Sequence, residues 1–304
     1  MRAFITGATG YIGGTIAAKL VEKGWSVTGL TRSGKSGEAL KARGIEPIVG
    51  SLTDEAAITK ASKEADLVIN AADSDHAFVV STIVNALEGS GKKFIHTSGS
   101  SVVADRAAGG PSSLTYHEEF LPIPVLEKRA RIEIDHYVQA SAAKGIHSIV
   151  ICPTMIYGRG LGVNEESQQV PFLIELAKEK GVGLHVGAGE NIWSNVHVLD
   201  LADLYLLAIE KAPAGSFFFA ENGEASLKNV VQSLSKILGF GGKTENFPID
   251  QAVLRWGTDG AYFGLGSNSR VSSEKARKFL GWTPRYTSII DEIESGHYLT
   301  LHGK

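Results

Sequence analysis

Apolar and polar positions along the first half of the chain alternate between short apolar runs and amphipathic stretches. Arg2–Thr6 reads as a strand. Gly10–Glu22 reads as a helix, because Ile12, Ile16, Ala17, Leu20 and Val21 share one face while Lys19, Glu22 and Lys23 lie on the other. Gly24 stands where a helix C-cap belongs. Further strands are expected over Ser26–Thr31, Glu46–Val49, Asp66–Ala71, Lys93–Thr97 and His147–Cys152. Helices are expected over Ser36–Ala42, from an Asp54 N-cap to Glu64, over Ala77–Leu87 and over Leu126–Ala143. Strands that are apolar throughout and separated by helices predict a parallel sheet covered on both faces. Right-handed crossovers make such a sheet doubly wound. After Cys152 the rhythm breaks. Pro153–Gly162 is turn-rich, Val170–Lys180, Leu201–Lys211, Leu227–Leu238 and Glu274–Leu280 read as helices, and Phe217–Ala220 as a short strand. Internal repeats, low-complexity tracts and a separating linker are absent from the sequence.

Composition narrows the class without changing that picture. Of 304 residues, 43% are hydrophobic and 21% charged, which is ordinary globular usage and argues against disorder. Thirty Lys and Arg against 33 Asp and Glu leave a net charge of −3, so no global field draws the chain to nucleic acid or an anionic membrane. Apolar runs fall short of the roughly 18 residues of a membrane span. Met1–Thr6 leads directly into structure, so no signal peptide is expected. The single cysteine, Cys152, excludes an intramolecular disulfide and a cysteine-based zinc site, and a reducing, cytoplasmic location is the expectation. Thirty-five glycines point to tight turns and close backbone approach.

One glycine cluster carries chemistry. Thr6-Gly7-Ala8-Thr9-Gly10-Tyr11-Ile12-Gly13 joins the first expected strand to the first expected helix. Gly7 permits a sharp exit from the strand, Gly10 clears a Cβ from the path of a diphosphate, and Gly13 lets the helix lie close to the strand. Amides at the helix start then face the anion. A dinucleotide is therefore the expected ligand, with Thr9, Tyr11 and Ile12 as candidate contacts beside the glycines. An acidic residue closing the second strand would hold a ribose 2′-hydroxyl; Thr31-Arg32-Ser33 stands there instead. A cation and hydroxyls suit a 2′-phosphate, so NADP is expected, with NAD as the alternative. Ser51 and Leu52 after the third strand are placed to face an adenine. Asn70, Ala71 and Ala72 after the fourth leave room for ribose and diphosphate.

Together with His96-Thr97-Ser98-Gly99-Ser100-Ser101 and Pro153-Thr154-Met155-Ile156-Tyr157-Gly158-Arg159-Gly160, these motifs resemble the extended short-chain dehydrogenase/reductase superfamily. The resemblance is to its branch of nucleotide-sugar epimerases and dehydratases and dihydroflavonol-reductase-like enzymes. Val196-His197-Val198-Leu199-Asp200-Leu201-Ala202 and Lys275-Ala276-Arg277-Lys278-Phe279-Leu280-Gly281-Trp282-Thr283-Pro284 are similar to later segments of that branch, so the resemblance spans nearly the whole chain. It implies an α/β fold with a doubly wound parallel Rossmann sheet over residues 1–155. A smaller C-terminal substrate-binding lobe over 156–304, able to return strands to the sheet, completes it. It implies hydride transfer to or from a nicotinamide, with Thr97, Pro153, Thr154 and Met155 near that ring, in a monomer or homodimer.

The family's usual catalytic set is a Ser or Thr after the fifth strand and a Tyr-x-x-x-Lys pair on the next helix. The tyrosine exchanges a proton with the substrate oxygen, the lysine lowers its pKa, and the hydroxyl orients the carbonyl. Ser98 is the first candidate for the hydroxyl and Ser100 the second. The pair is missing, since no tyrosine here has lysine four residues later. If Asp135 takes the place of the family's acidic helix residue, Arg131 falls where lysine belongs and Glu127 where tyrosine belongs. Arginine can hold ribose hydroxyls but is a poor proton relay, and glutamate acts as an acid only with a raised pKa. Tyr116 and Tyr157 are the other candidate acids, and His76 could reach the same pocket from the end of the fourth strand. Ser167-Gln168-Gln169, Trp193, Ser194, Asn195 and His197 are candidate pocket residues, and Gly257–Gly266 reads as a flap or plain loop around Tyr262 and Phe263. Asp73, Asp75 and His76 are a weak metal signal, and no metal is expected.

The leading expectation is an NADP-dependent oxidoreductase acting on a small carbonyl or alcohol, with a small-molecule substrate and no nucleic-acid or membrane partner. Two alternatives stay open. One is a nucleotide-sugar epimerase or dehydratase that recycles its cofactor, although no Arg-rich diphosphate clamp stands in the second half. The other is a non-catalytic protein that senses NADP(H), motivated by the missing pair.

Overall fold

The computed structural model describes residues 1–286 and 288–304. Its first half alternates as the pattern predicts: β1 (Arg2–Thr6), α1 (Tyr11–Glu22), β2 (Ser26–Thr31), α2 (Gly34–Lys41), β3 (Ile45–Val49), α3 (Glu55–Glu64), β4 (Leu67–Asn70), α4 (Ala77–Leu87), β5 (Lys93–Thr97), α5 (Arg129–Ala140) and β6 (His147–Pro153). The second half adds β7 (Met155–Tyr157), α6 (Gln169–Lys180), β8 (Gly183–Val186), β9 (Ile192–His197), α7 (Val198–Lys211) and β10 (Ser216–Ala220). It ends with β11 (Glu224–Ser226), α8 (Leu227–Ile237), β12 (Thr244–Phe247), α9 (Ile249–Thr258), α10 (Glu274–Leu280), α11 (Ile289–Glu294) and α12 (His297–His302).

Seven parallel strands form a Rossmann-type central sheet in the order β10-β6-β5-β4-β1-β2-β3. The strand order reverses between β1 and β4, and ligands of such sheets bind outside the carboxyl ends at that point. Period-two alternation sorts the strand side chains. Ile5, Ile69 and Ile95 pack on one face with Ile16 and Leu20 of α1 and Leu204 and Tyr205 of α7. Phe4, Val68 and Phe94 pack on the other with Ile58 of α3, Ile83 of α4 and Val138 of α5. Full burial of each such side chain is worth about 1.5–3 kcal/mol. Register places Thr6 beside Asn70 and Asn70 beside His96, so three polar residues lie in one row across the sheet.

The remaining strands make a three-stranded sheet, β11-β9-β7, and a two-stranded one, β12-β8. They enclose a second core around Met155, Tyr157, Leu173, Trp193, Leu234 and Tyr298. The strands β7, β8, β9, β11 and β12 were not expected from the sequence.

Several boundaries move for reasons of capping. α2 starts two residues before its expected Ser36, because the Ser33 hydroxyl accepts from the Ser36 amide at 3.2 Å. α7 starts at Val198 because His197 Nδ1 accepts from the Leu199 amide at 3.2 Å. The helix expected over Leu126–Ala143 is broken into 3₁₀ turns at Leu126–Lys128 and Ser141–Lys144 on either side of α5. The expected flap at Gly257–Gly266 is helical instead: Asp259–Leu265 continues α9 in wider π-type turns past Gly257, whose φ is +71°. Among the described residues no helix is long and apolar enough to cross a membrane.

Candidate active site

The turn between β1 and α1 is shaped by what its glycines lack. Gly7 has φ +79°, and a Cβ there would stand 2.5 Å from the Ala71 carbonyl oxygen. A Cβ on Gly13 would stand 2.4 Å from the Gly7 oxygen. The turn therefore nests against β4 and its own helix, and only glycine permits both approaches. Gly10 donates its amide to the Gly7 carbonyl at 2.8 Å and leads into α1.

Outside this turn lies a cavity of about 510 Å³ lined by Gly7, Thr9, Gly10, Thr31, Arg32, Leu52, Ala71 and Ala72. Leu30, Gly50, Asp73 and Gln168 complete its wall. A second cavity of about 320 Å³ opens at the ends of β5 and β6. Its polar side carries Ser98, Ser100, Ser101, Arg131 and Thr154, with Pro153 and Ile12 beside them. Its apolar side carries Phe172, Trp193, Trp256 and Phe263. Gln168 lines both cavities, so they adjoin. The two adjoining cavities run from the glycine turn to the ends of β5 and β6, and a turn whose glycines lack Cβ atoms, opening a helix, suits a diphosphate.

Several candidates stand elsewhere. The Thr97 side chain points to the α7 face, where its hydroxyl meets the Tyr205 hydroxyl at 2.7 Å, because strand alternation turns it away from His96. Asn70 is buried within the sheet by its bonds to Thr6 and His96. The Tyr11 ring is buried and its hydroxyl donates to the Gly158 carbonyl at 2.6 Å, so its side chain braces the second half. Gly13 serves packing. Ser51 is exposed and bonds Thr53 at 2.8 Å. Met155 belongs to the second core.

The candidate acids fare differently. Ser98, Ser100 and Arg131 meet in the second cavity, whereas Tyr157 and Tyr116 do not line it. Tyr157 is fully buried, with its hydroxyl donating to the Tyr286 carbonyl at 3.2 Å and its ring against His197. Tyr116 bridges to Val271 through its backbone and stacks its ring on Phe120. Glu127 is bound to Arg106, and its own backbone amide, followed by Arg106, holds its carboxyl below the usual range. It lacks the raised pKa that an acid in the tyrosine's place requires.

Arg131 donates Nε to Asp75 Oδ1 at 2.8 Å and Nη2 to Asp75 Oδ2. Its Nη1 donates to the Ser101 hydroxyl at 2.7 Å. Burial opposes its charge, but the bidentate bond to Asp75 prevails and raises its pKa, so it stays a cation. The Ser98 hydroxyl donates to Asp135 Oδ2 at 2.6 Å. Sequence reasoning placed Asp135 only as an anchor for counting. Burial pushes its carboxyl up to about 7, against the pull of the Ser98 hydroxyl. Trp256 and Phe172 were missed because nothing local marks them as pocket residues. Lys128, also missed, is buried, pairs with Asp259 and lies 5.2 Å from the Phe263 ring centroid. Among the described residues no three His, Cys, Asp or Glu side chains cluster to hold a metal.

A family model described as the NAD dependent epimerase/dehydratase family matches residues 3–218. The chain belongs to that family. It is accordingly an NAD(P)-dependent oxidoreductase or epimerase by class. An uncharacterized protein of Schizosaccharomyces pombe is 30% identical over 316 residues, covering 98% of this chain and 100% of its own length. The 4-hydroxy-2-methyl-3-oxo-4-farnesyl-3,4-dihydroquinoline-1-oxide ketoreductase of Stigmatella aurantiaca is 25% identical over 329 residues, covering 94% of this chain and 93% of its own. In fold, the family member described here is similar to UDP-glucose 4-epimerase of Thermotoga maritima, solved with UDP-glucose. That match has TM-score 0.77 and 19% identity over 99% of this chain and 100% of that one.

Proposed function

We propose that this family member is an NADP-dependent reductase or dehydrogenase of a small carbonyl or alcohol with an apolar, flat body. The observation that carries the cofactor preference is Arg32 in the wall of the larger cavity, at the end of β2, with Thr31 beside it and no carboxylate closing that strand. A guanidinium there pairs with a 2′-phosphate, whereas a carboxylate would repel it. Gly7, Gly10 and the start of α1 would hold the diphosphate, Leu52 the adenine side, and Pro153 and Thr154 the nicotinamide side. When bound, the cofactor supplies or accepts hydride. The chain's own contribution is to orient the substrate oxygen with the Ser98 and Ser100 hydroxyls and to exclude water with Phe172, Trp193, Trp256 and Phe263. A relative that is a ketoreductase supports the reductase reading, and relatives that are UDP-glucose 4-epimerases support the alternative.

The test is a fluorescence titration with NADPH and NADH, followed by NADPH oxidation against a panel of aromatic and aliphatic carbonyls. Wild type is expected to bind NADPH more tightly, and Arg32→Ala to lose about 1.5–3 kcal/mol of that preference, roughly ten- to hundredfold. Equal affinity for both cofactors, unchanged by Arg32→Ala, overturns the preference. Cofactor that stays bound through purification, with no turnover on any carbonyl, favours an epimerase that recycles it.

A further inference from the structure

The polar row across the sheet ends at the substrate cavity. The Thr6 hydroxyl donates to Asn70 Oδ1 at 2.5 Å, which fixes the Asn70 amide. Asn70 Nδ2 then donates to His96 Nδ1 at 3.1 Å and to the Asp73 carbonyl at 3.3 Å. With Nδ1 accepting, the neutral imidazole carries its hydrogen on Nε2. That atom faces Asp135 Oδ1 at 3.7 Å, and neither has a hydrogen-bond partner among the described residues. The other Asp135 oxygen meets the Ser98 hydroxyl, which lines the cavity. Thr6, Asn70 and His96 are fully buried and Asp135 nearly so. The row sets the imidazole so that its Nε2 hydrogen faces Oδ1 beyond hydrogen-bond distance, and Oδ2, bonded to Ser98, is the oxygen able to exchange a proton with it.

From this geometry we propose that Asp135 is a proton store acting through Ser98, standing in for the missing tyrosine–lysine pair, with His96 as its positioning residue. The proposal rests on the carbonyl-reductase reading. With Asp135 protonated on Oδ2, Ser98 accepts from it and turns its own hydrogen into the cavity. As the substrate carbonyl carbon gains hydride from a reduced nicotinamide, which is oxidised in the same turnover, the carbonyl oxygen takes the Ser98 proton. The Asp135 proton refills Ser98, and Asp135 is left as carboxylate. A solvent proton returns through Ser98 once product has left. In the reverse direction the alcohol proton follows the same path into Asp135.

Three other groups face this carboxyl. Arg131, one turn away on α5, and Asp75 on the loop before α4 form a paired couple at the cavity's edge. The Cys152 thiol on β6 is buried beside it and is pushed well up by that burial, so it stays neutral. The row is a closed arrangement in which Asp135 alone has an ionisation within reach of neutral pH: burial holds His96 down to about 4 and Asp135 up to about 7.

Infrared titration of the purified protein, with no cofactor or substrate added, reads this directly. The wild type is expected to show a carboxylic-acid C=O band that disappears as pH rises through about 7 and is absent from Asp135→Asn. NADPH titration of both forms reads the cofactor site separately and is expected to give the same affinity. With a carbonyl that turns over, kcat of the wild type is expected to fall above that pH. Ser98→Ala, which keeps the buried carboxyl, and Asp135→Asn are both expected to lose about 10²–10⁴-fold in kcat together with that pH limb. An Asp135 that ionises in the ordinary carboxyl range, or a Ser98→Ala that keeps the wild-type pH limb, overturns the relay even where NADPH binds. Failure to bind NADPH overturns the relay along with the reductase reading, and the infrared result then separates a buried acid with another use from none at all.

Discussion

At the scale of single residues, two buried groups pull stability in opposite directions with pH. Asp135 has a pKa raised from 3.8 to about 7 by burial, so between those values the native state holds a proton that the unfolded chain has released. Its contribution to stability is fullest below about 4 and falls as pH rises toward 7. His96 has a pKa lowered from 6.5 to about 4, so the unfolded chain binds the extra proton there, and its contribution is lost as pH falls through that window. The two oppose each other from about 4 to 6.5, and above 6.5 only the decline from Asp135 remains. Asp135→Asn is therefore expected to gain Tm relative to wild type as pH rises from 4 to 7, with the gain level above about 7.5. Calorimetric scans across that range check this, and a Tm difference that does not vary with pH would mean that Asp135 is ionised throughout. None of this was visible in the residue string. Asp135 and His96 are 39 positions apart, and their meeting depends on α5 packing over the row that β1, β4 and β5 set in register.

At the scale of elements, the π-type segment Asp259–Leu265 lines the second cavity, and its hold on α5 is narrow. Lys128 is almost wholly buried, while its partner Asp259 is largely exposed. Lys128 and Arg106 both lie over the Phe263 ring, at 5.2 and 5.5 Å. Removing the carboxylate leaves an ammonium buried without its counter-charge, at a cost of about 1–3 kcal/mol. Asp259→Asn is therefore expected to speed amide exchange through 259–265 while leaving exchange in β1, β4 and β5 unchanged. Equal protection in variant and wild type would mean that the wall is held by its apolar contacts alone. The glycines of this stretch suggested a flap because glycine is a poor helix former. Its helical state comes from packing: Ala261, Phe263 and Leu265 are buried. By contrast the βα elements of the first half were legible, since their periods, the Asp54 N-cap and the Gly24 terminus are local signals that packing reinforced.

At the scale of the whole molecule, the two halves share their cores. β10 comes from the second half yet pairs with β6 in the central sheet, and α7 covers the face that α1 begins. The Tyr11 hydroxyl reaches the Gly158 carbonyl, and Gly14 and Gly162 approach so closely that a Cβ on Gly162 would stand 2.6 Å from the Gly14 Cα. A fragment of residues 1–155 would expose Ile95, Ile149 and Ile151 where Leu204, Tyr205 and Phe218 now pack. We expect that fragment to aggregate or remain unfolded, and the full chain to melt in one calorimetric transition. A soluble, cooperatively folded fragment would show that the first half is an independent unit. On the proposed cofactor reading, NADPH at a hundredfold excess over its Kd is expected to add about 2.7 kcal/mol, because it binds the folded and not the unfolded chain.

The order of amino acids alone determined the alternation of strand and helix through Cys152, the glycine turn after β1 and the cation at the end of β2. These depend on neighbours within a few positions, where periodicity, capping and the missing Cβ act. Tertiary structure decided which side chains share a space: Ser98 with Asp135, Arg131 with Asp75, and Trp193 with Trp256 across the cavity. It also turned Tyr157, Thr97 and Met155 away from it. Those outcomes depend on sheet register, strand alternation and helix docking between residues tens to more than a hundred positions apart, and no local pattern carries that information.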